Sequence, residues 1–209
     1  MSTTPALFPM FVKLAGRSCV VVGGGTIAAL KVESLLHAGA NVTVVSPKLS
    51  ARLDELQLEG RLAWIARRFQ PCDVNGAFLV IAATSDDSVN ELVFREAERS
   101  GILCNAVDQP PRCNFYFPAV VRRGPLQIAI STNGLSPSLA QRLRKEFEVS
   151  FGSEYEGWLL WLGAVREALI ERKLDFATRK RLLAYLARRD SFERWRAANF
   201  GKHALREPA

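Results

Sequence analysis

Residues Ser18–Val22 read Ser-Cys-Val-Val-Val, and the chain runs from them straight into Gly23-Gly24-Gly25-Thr26-Ile27-Ala28. A strand that is apolar on both faces belongs inside a parallel sheet covered on both sides by helices. Apolar positions at Ile27, Leu30, Leu35 and Leu36 then predict a helix closed by Gly39, and Asn41–Val45 is a second β-branched strand stopped by Ser46-Pro47. This is one β-α-β unit of about 30 residues. Its glycines satisfy the pattern G-x-G-x-x-G/A at the strand-to-helix turn. The first allows a tight turn, the next lets backbone approach a pyrophosphate, and small Ala28 lets helix and strand pack closely. Helix N–H groups are then left pointing at the phosphates. Gly23, Gly24, Gly25, Thr26 and Ile27 are therefore the candidate dinucleotide-binding residues.

The second strand lacks an element that this pattern usually carries. It ends Val44-Val45-Ser46-Pro47-Lys48, with no Asp or Glu to hold a ribose 2′-hydroxyl. Ser46 offers a neutral hydrogen bond and Lys48 a partner for a 2′-phosphate, so these residues alone leave NAD and NADP both open.

Strand and helix continue to alternate. Leu49–Leu58 reads as a helix, Leu62–Ala66 as a short strand, Ala77–Ala83 as a buried strand, Ser88–Arg99 as a helix closed by Gly101, and Ile102–Val107 as a further strand. The fold class expected is α/β, a Rossmann-type doubly wound parallel sheet with right-handed crossovers. Around Pro110-Pro111 the pattern changes. Phe115–Val121 and Leu126–Ile130 read as a hairpin-like pair, and Ser136-Pro137 as an N-cap and first-turn proline opening a helix over Ser138–Glu148. Beyond residue 153 the chain reads as helical, with Trp158, Trp161, Leu162, Val165 and Leu169 at helical spacing. The expected organisation is a nucleotide-binding domain over residues 1–112, a small α+β segment over 113–150 and a helical C-terminal domain over 151–209.

Charge follows the same division. The chain has 28 Lys+Arg and 21 Asp+Glu among 209 residues, a net charge of +7. Residues 1–110 hold 10 basic and 11 acidic side chains, so the surplus lies in the second half. A basic region suits nucleic acid, a membrane surface or an anionic small molecule. The apolar runs are far shorter than the ~20 residues of a membrane span. Met-Ser-Thr-Thr-Pro has neither the basic nor the apolar region of a secretory signal, so a cytoplasmic protein is expected. Cys19, Cys72, Cys104 and Cys113 show no C-x-x-C spacing and only His37 and His203 could join them, which argues against a structural metal site. Cys19 and Cys104 sit in apolar runs and read as reduced core residues. His37 falls late in the first helix, where a cation suits the dipole.

Two further candidates carry chemistry. Asp108, in Cys104-Asn105-Ala-Val-Asp108, lies at the carboxyl end of a predicted strand, where open α/β sheets place ligands. It reads as a general base or as an acceptor closing the turn before Pro110, with Asn105 beside it. Ser131-Thr132-Asn133-Gly134-Leu135-Ser136-Pro137 gathers hydroxyls at a strand-to-helix junction. It reads as an anion site or as a turn with a helix cap.

These motifs, in order, resemble the precorrin-2 dehydrogenase / sirohydrochlorin ferrochelatase family of sirohaem synthesis. The residues that carry the resemblance are Val20–Lys31, Ala82-Ala-Thr84, Cys104–Asp108 and Ile128–Pro137, with Phe8–Leu14 also of that kind. The resemblance covers about residues 8–148 and loosens in the tail. It implies a Rossmann domain binding NAD, a dimerising middle segment giving a homodimer, and NAD-dependent oxidation of precorrin-2 to sirohydrochlorin. In bifunctional members Fe²⁺ insertion follows, and the sequence leaves open whether this chain does both, and whether it serves sirohaem or cobalamin. Asp108 matches the family's catalytic aspartate. The glycine loop, Ser46, Pro47, Lys48 and Thr84 would line the NAD. Ser131 and Thr132 match a hydroxyl position near the macrocycle, and Asn105, Asn133, Arg112 and Arg142 are the further substrate-contacting residues expected. Arginine suits the substrate's acetate and propionate groups because its fork bonds carboxylate bidentately; Arg122 and Arg144 are also candidates. The family commonly has arginine where Leu30 precedes Lys31. The methyltransferase domain fused to some relatives does not fit in 209 residues, so this chain is not expected to make precorrin-2.

Two readings compete. An NAD-sensing regulator would place the basic tail on nucleic acid, although only about 17 residues precede the first strand, too few for a winged-helix reader. A chelatase with a vestigial Rossmann site would insert metal without reducing nicotinamide. The leading reading carries no nucleic-acid or membrane partner.

Overall fold

A computed structural model of the chain describes residues 6–200; Met1–Pro5 and the last nine residues, His203 among them, lie outside the described residues. The chain forms two compact units, Met1–Phe117 and Pro118–Ala209.

The first unit is built on five strands, β1 (Ser18–Val22), β2 (Asn41–Val45), β3 (Ala63–Ile65), β4 (Leu79–Ala82) and β5 (Leu103–Ala106). They lie in the order β3-β2-β1-β4-β5, every neighbouring pair parallel. The helices α1 (Thr26–His37), α2 (Ala51–Leu58) and α3 (Asp87–Arg99) make the crossovers. Alternate residues of β1 serve opposite faces. Cys19 and Val21 join a core with Val32 and Leu35 of α1 and Leu53 and Leu56 of α2. Val20 and Val22 join another with Val93 and Ala97 of α3 and Cys104 and Ala106 of β5. Side chains alternate across a strand, so a strand with helices on both faces is apolar at every position. Cys19 and Cys104 are fully buried, which pushes their thiols up to about 11 and about 12. They are inert core residues, as the sequence suggested. The order β3-β2-β1-β4-β5 reverses direction at β1, between β1 and β4, and a crevice opens there at the strands' carboxyl ends.

The second unit starts with an antiparallel hairpin, β6 (Ala119–Arg123) and β7 (Leu126–Ile130). Gly124 is left-handed in its turn (φ 53), and a Cβ there would come 2.5 Å from the Glu156 side chain. The first strand begins at Ala119 rather than Phe115. The reason is that residues 113–115 are tied to β5: Cys113 bridges Asn105, the Asn114 N–H donates to the Cys104 carbonyl (3.0 Å), and Asn105 donates to the Phe115 carbonyl (2.8 Å). The helices are α4 (Pro137–Ser150), α5 (Glu154–Glu171), α6 (Phe176–Leu186) and α7 (Arg189–Phe200). Ser136 caps α4 through Leu139 N–H, and Arg123 donates to the Glu148 and Phe151 carbonyls at the helix's other end. Phe192 of α7 is buried, stacked on Tyr155 at 4.5 Å and tilted against Trp158 at 4.8 Å. Among the described residues no helix is long and apolar enough to cross a membrane.

Candidate functional site

The crevice above β1 and β4 encloses about 640 Å³ and is lined wholly by the first unit. Gly23, Gly24, Gly25, Thr26, Ile27, Ser46, Pro47, Thr84 and Asp108 all line it, joined by Arg68, Phe69, Ser85, Asp86 and Val89. Nine residues expected from the sequence therefore meet at one site.

The three glycines do different work. Gly23 has φ +123, and a Cβ there would lie 2.3 Å from the Ala83 carbonyl oxygen. At Gly24 a Cβ would lie 1.9 Å from the Lys48 carbonyl oxygen, and the Gly24 carbonyl accepts from Ser50 N–H at 2.7 Å. Both glycines let backbone segments close on one another. Only at Gly25 would a Cβ meet open space. Gly25 is the N-cap of α1 and supplies no side-chain acceptor, and the first turn holds no acidic residue. Helix geometry leaves the N–H groups of the first turn without intrahelical partners, and the dipole makes that end positive. An open floor at Gly25, free N–H groups and a first turn without carboxylates fit a dinucleotide pyrophosphate.

At the end of β2, Ser46 is buried and its hydroxyl donates to the Lys48 carbonyl (2.8 Å), while its own carbonyl accepts from the Trp64 indole (2.8 Å). The hydroxyl hydrogen is thus committed, and the oxygen can serve a ligand only as an acceptor. Lys48 is exposed and does not line the crevice. Thr84 follows β4, its hydroxyl donating to Asn90 (2.8 Å) or to the Asp86 carbonyl (3.0 Å), and Asn90 returns a bond to the Thr84 carbonyl (3.0 Å). Asn90, buried within α3, holds the loop that walls the crevice; nothing in its local sequence distinguishes it from a surface position. Asp86 caps α3, and donation from Ser88 holds its carboxyl below the ordinary range.

Asp108 stands two residues beyond β5 with φ 58. Aspartate is one of the few residues that enters this left-handed region readily. The turn is braced by Gln109 N–H on the Ala106 carbonyl (3.1 Å) and by the Cys113 thiol, which reaches the same carbonyl (3.1 Å). Lys31 of α1 lies within electrostatic range of Asp108. Its ammonium sits over the Phe117 ring, and burial lowers its pKa while Asp108 and Cys113 act to raise it.

The substrate-contacting residues expected from the resemblance are placed differently. Asn105 is buried, bonded to Phe115 and Cys113, and does not line the crevice. Arg112 is held by Asp87 (2.5 Å) and Glu91 (2.5 Å). Ser131, Thr132, Asn133 and Arg142 belong to the second unit. There Ser131 Oγ accepts from Asn133 N–H (3.1 Å), Thr132 exchanges bonds with Ser136, and Arg142 pairs with Glu146 (2.7 Å). This is the turn and helix cap that the sequence also allowed. Arg144 pairs with Glu148, whereas Arg122 makes no ion pair among the described residues. Among the described residues no three His, Cys, Asp or Glu side chains are grouped to hold a metal ion.

Comparison with known proteins agrees with this geometry. Residues 10–119 match a family described as NAD(P)-binding, and residues 123–150 match one described as the central part of sirohaem biosynthesis proteins. The siroheme synthase of Actinobacillus pleuropneumoniae is 40% identical over 190 residues, which are 89% of this chain and 38% of that protein. The siroheme synthase of Methylobacillus flagellatus is 45% identical over 164 residues, 78% of this chain and 35% of that one. This chain thus spans well under half the length of these curated relatives. A solved structure titled SirC, precorrin-2 dehydrogenase, superposes with a TM-score of 0.77 at 30% identity, covering 90% of this chain and 92% of that chain. A parallel sheet with a glycine-loop crevice, matched along nearly its whole length to that structure, means that the chain belongs to the precorrin-2 dehydrogenase family.

Proposed function

We propose that this protein oxidises precorrin-2 to sirohydrochlorin with NAD. The observation that carries the proposal is that Asp108, held in a left-handed turn, lines the same crevice as the glycine loop and the open α1 N-terminus. NAD⁺, when bound, supplies the hydride acceptor. The first-turn N–H groups of α1 hold its pyrophosphate, Gly25 leaves room for it, and Thr84 with Asn90 keeps the wall of the crevice in place. Dehydrogenation removes a hydride and a proton from the macrocycle. The Asp108 carboxylate is the proton acceptor, and its fixed backbone sets where that oxygen stands. Lys31 supplies a cation within electrostatic range of that carboxylate.

The homodimer is formed through the segment 113–150, with the nucleotide domain over 1–112 and the helical domain over 151–209; residues 118–150 of that segment belong to the second unit, whose surface supports the reading. A two-stranded hairpin is marginal alone and leaves both outer edges unpaired. Helices α5 and α6 bury no residue fully, and Val149, Leu160 and Phe176 are exposed. Light scattering would read a molecular mass twice that of the chain. Free basic groups such as Arg122 suit the substrate's carboxylates, with Ser131, Thr132, Asn133 and Arg142 at the same unit's strand-to-helix turn. Fe²⁺ is proposed as a second substrate, inserted into the product at the same site. The free, fully buried core thiols of Cys19 and Cys104 support a cytoplasmic protein.

An anaerobic assay tests the reading. Precorrin-2 is supplied with NAD⁺ alone and then with Fe²⁺ or Co²⁺, and absorbance is followed. Conversion to sirohydrochlorin with NAD⁺ alone is expected; no conversion overturns the proposal. Metal insertion without nicotinamide reduction would leave only the chelatase.

A further inference from the structure

The side of the crevice between β2 and β3 has an unusual charge arrangement for a site that holds NAD. In dinucleotide folds the adenosine ribose lies at the end of the second strand, where a carboxylate takes its 2′-hydroxyl. Here that position is Ser46, whose hydrogen is committed to the Lys48 carbonyl. The acidic residues lining the crevice are Asp86 and Asp108, which follow β4 and β5. The charged lining residue from the β3 side is Arg68.

Arg68 is set up by its neighbours. Arg67 is held by Asp73 through two hydrogen bonds (2.6 and 2.8 Å) and also donates to the Arg68 carbonyl (3.0 Å). On the other side Phe69 packs against the core beneath α3. The backbone at Arg68 is therefore pinned from both flanks. Its guanidinium, by contrast, makes no hydrogen bond or ion pair among the described residues, and Asp86 acts on it only at longer range. Asp86 accepts from the Ser88 and Val89 N–H groups and the Ser88 hydroxyl, all at Oδ1. A pinned backbone carrying an uncommitted guanidinium on the crevice lining is suited to a phosphate, which arginine grips through two parallel N–H bonds.

We infer that Arg68 is a specificity-determining residue that lets this crevice accept the 2′-phosphorylated dinucleotide NADP as well as NAD. The inference rests on the reading of the crevice as a dinucleotide site and concerns which of the two that site admits. NAD needs no charged partner at its 2′-hydroxyl and is served by Ser46 as acceptor. NADP gains a charge-assisted bond to Arg68, whose nearest acidic influence on the crevice lining, Asp86, acts on it without an ion pair.

Equilibrium titration of the full chain with NADH and with NADPH, followed by their fluorescence, tests this, with adenosine 2′,5′-bisphosphate and 5′-AMP as competing probes. Both dinucleotides are expected to bind, with dissociation constants within about ten-fold of each other. R68Q should weaken NADPH and the bisphosphate by about ten-fold or more and leave NADH and 5′-AMP within about two-fold. Raising the salt concentration should erode the NADPH affinity of the unaltered chain more than that of R68Q. Thermal melts of R68Q matching the unaltered chain exclude misfolding. Tight NADH binding with NADPH about a hundred-fold weaker overturns the inference and leaves the dinucleotide site standing. Equal weakening of both dinucleotides in R68Q also overturns it. Binding of neither dinucleotide overturns the site itself.

Discussion

The ammonium of Lys31 lies 3.9 Å from the centre of the Phe117 ring. Lys31 stands on α1 just beyond the glycine loop, and Phe117 closes the first unit. The ring face offers electron density to a cation that has lost part of its water. Burial lowers the Lys31 pKa from its ordinary 10.5, with Asp108 and Cys113 pulling the other way. Folding therefore disfavours the charged form. Lys31→Met removes that disfavour along with the charge within electrostatic range of Asp108. The variant is expected to be at least as stable as the parent at neutral pH and to lose about ten-fold in kcat/KM. The parent should gain stability relative to it as pH rises from the lowered Lys31 pKa towards 10.5, where the unfolded chain binds more protons than the folded one. Thermal melts across that range, beside steady-state rates, measure both.

Gly24 and Gly25 are adjacent, yet alanine should act on them in opposite ways. Gly25→Ala places its methyl in the open crevice with an ordinary negative φ of −85°. Stability is expected to hold within about 0.5 kcal/mol, while NADH affinity falls by about ten-fold or more. Gly24→Ala drives its methyl into the Lys48 carbonyl. It should lose about 1–3 kcal/mol of stability. Denaturant melts and NADH titrations of the pair separate the two roles.

Asp108→Asn keeps the size of the side chain and removes the proposed proton acceptor. Turnover of precorrin-2 is expected to fall by about a hundred-fold or more, with NADH affinity unchanged. Undiminished turnover would remove Asp108 from the reaction.

Asp73 anchors the loop that carries Arg68 and Phe69. Its side chain is nearly buried, takes two bonds from Arg67 and accepts from Gln70 N–H (2.8 Å). The Arg67 guanidinium, first among these influences, holds its carboxyl below the ordinary 3.8. Its stabilising contribution is present above that value and is lost as pH falls through the lowered one. Asp73→Asn should cost about 1–3 kcal/mol at neutral pH. The gap from the parent should narrow on acidification below about 3.8, which melts at several pH values would show.

The β1 strand, the glycine turn and α1 were legible because each rests on local chemistry: doubly apolar β-branched residues, glycines at a fixed offset, and a 3.6-residue apolar period. Asp108 was legible through its place after a strand, which the sheet turns into a position at the mouth of the crevice. Arg68 and Phe69 gave no comparable local signal, although they follow the carboxyl end of β3, where ligands also gather. Asn90 lies mid-helix and gains its role only by meeting Thr84 across a turn. Asn105 read as a neighbour of the ligand, yet alternation along β5 sends it towards Phe115 and Cys113 instead. Residues 115–117 read as the start of a strand, but the bonds that tie residues 113–115 to β5 keep them in the first unit.

The sequence by itself determined the fold class, the place of the dinucleotide loop and the presence of a carboxylate beyond the fifth strand, since period, glycine spacing and chain order suffice for these. Only the tertiary structure decided which glycine has open space beside it, which arginine is uncommitted, and that Lys31 lies over Phe117 within electrostatic range of Asp108. Those depend on contacts between segments distant in the chain, where a backbone carbonyl 1.9 Å from a hypothetical Cβ, or an acid within reach of one guanidinium and not another, has no signature in either segment alone.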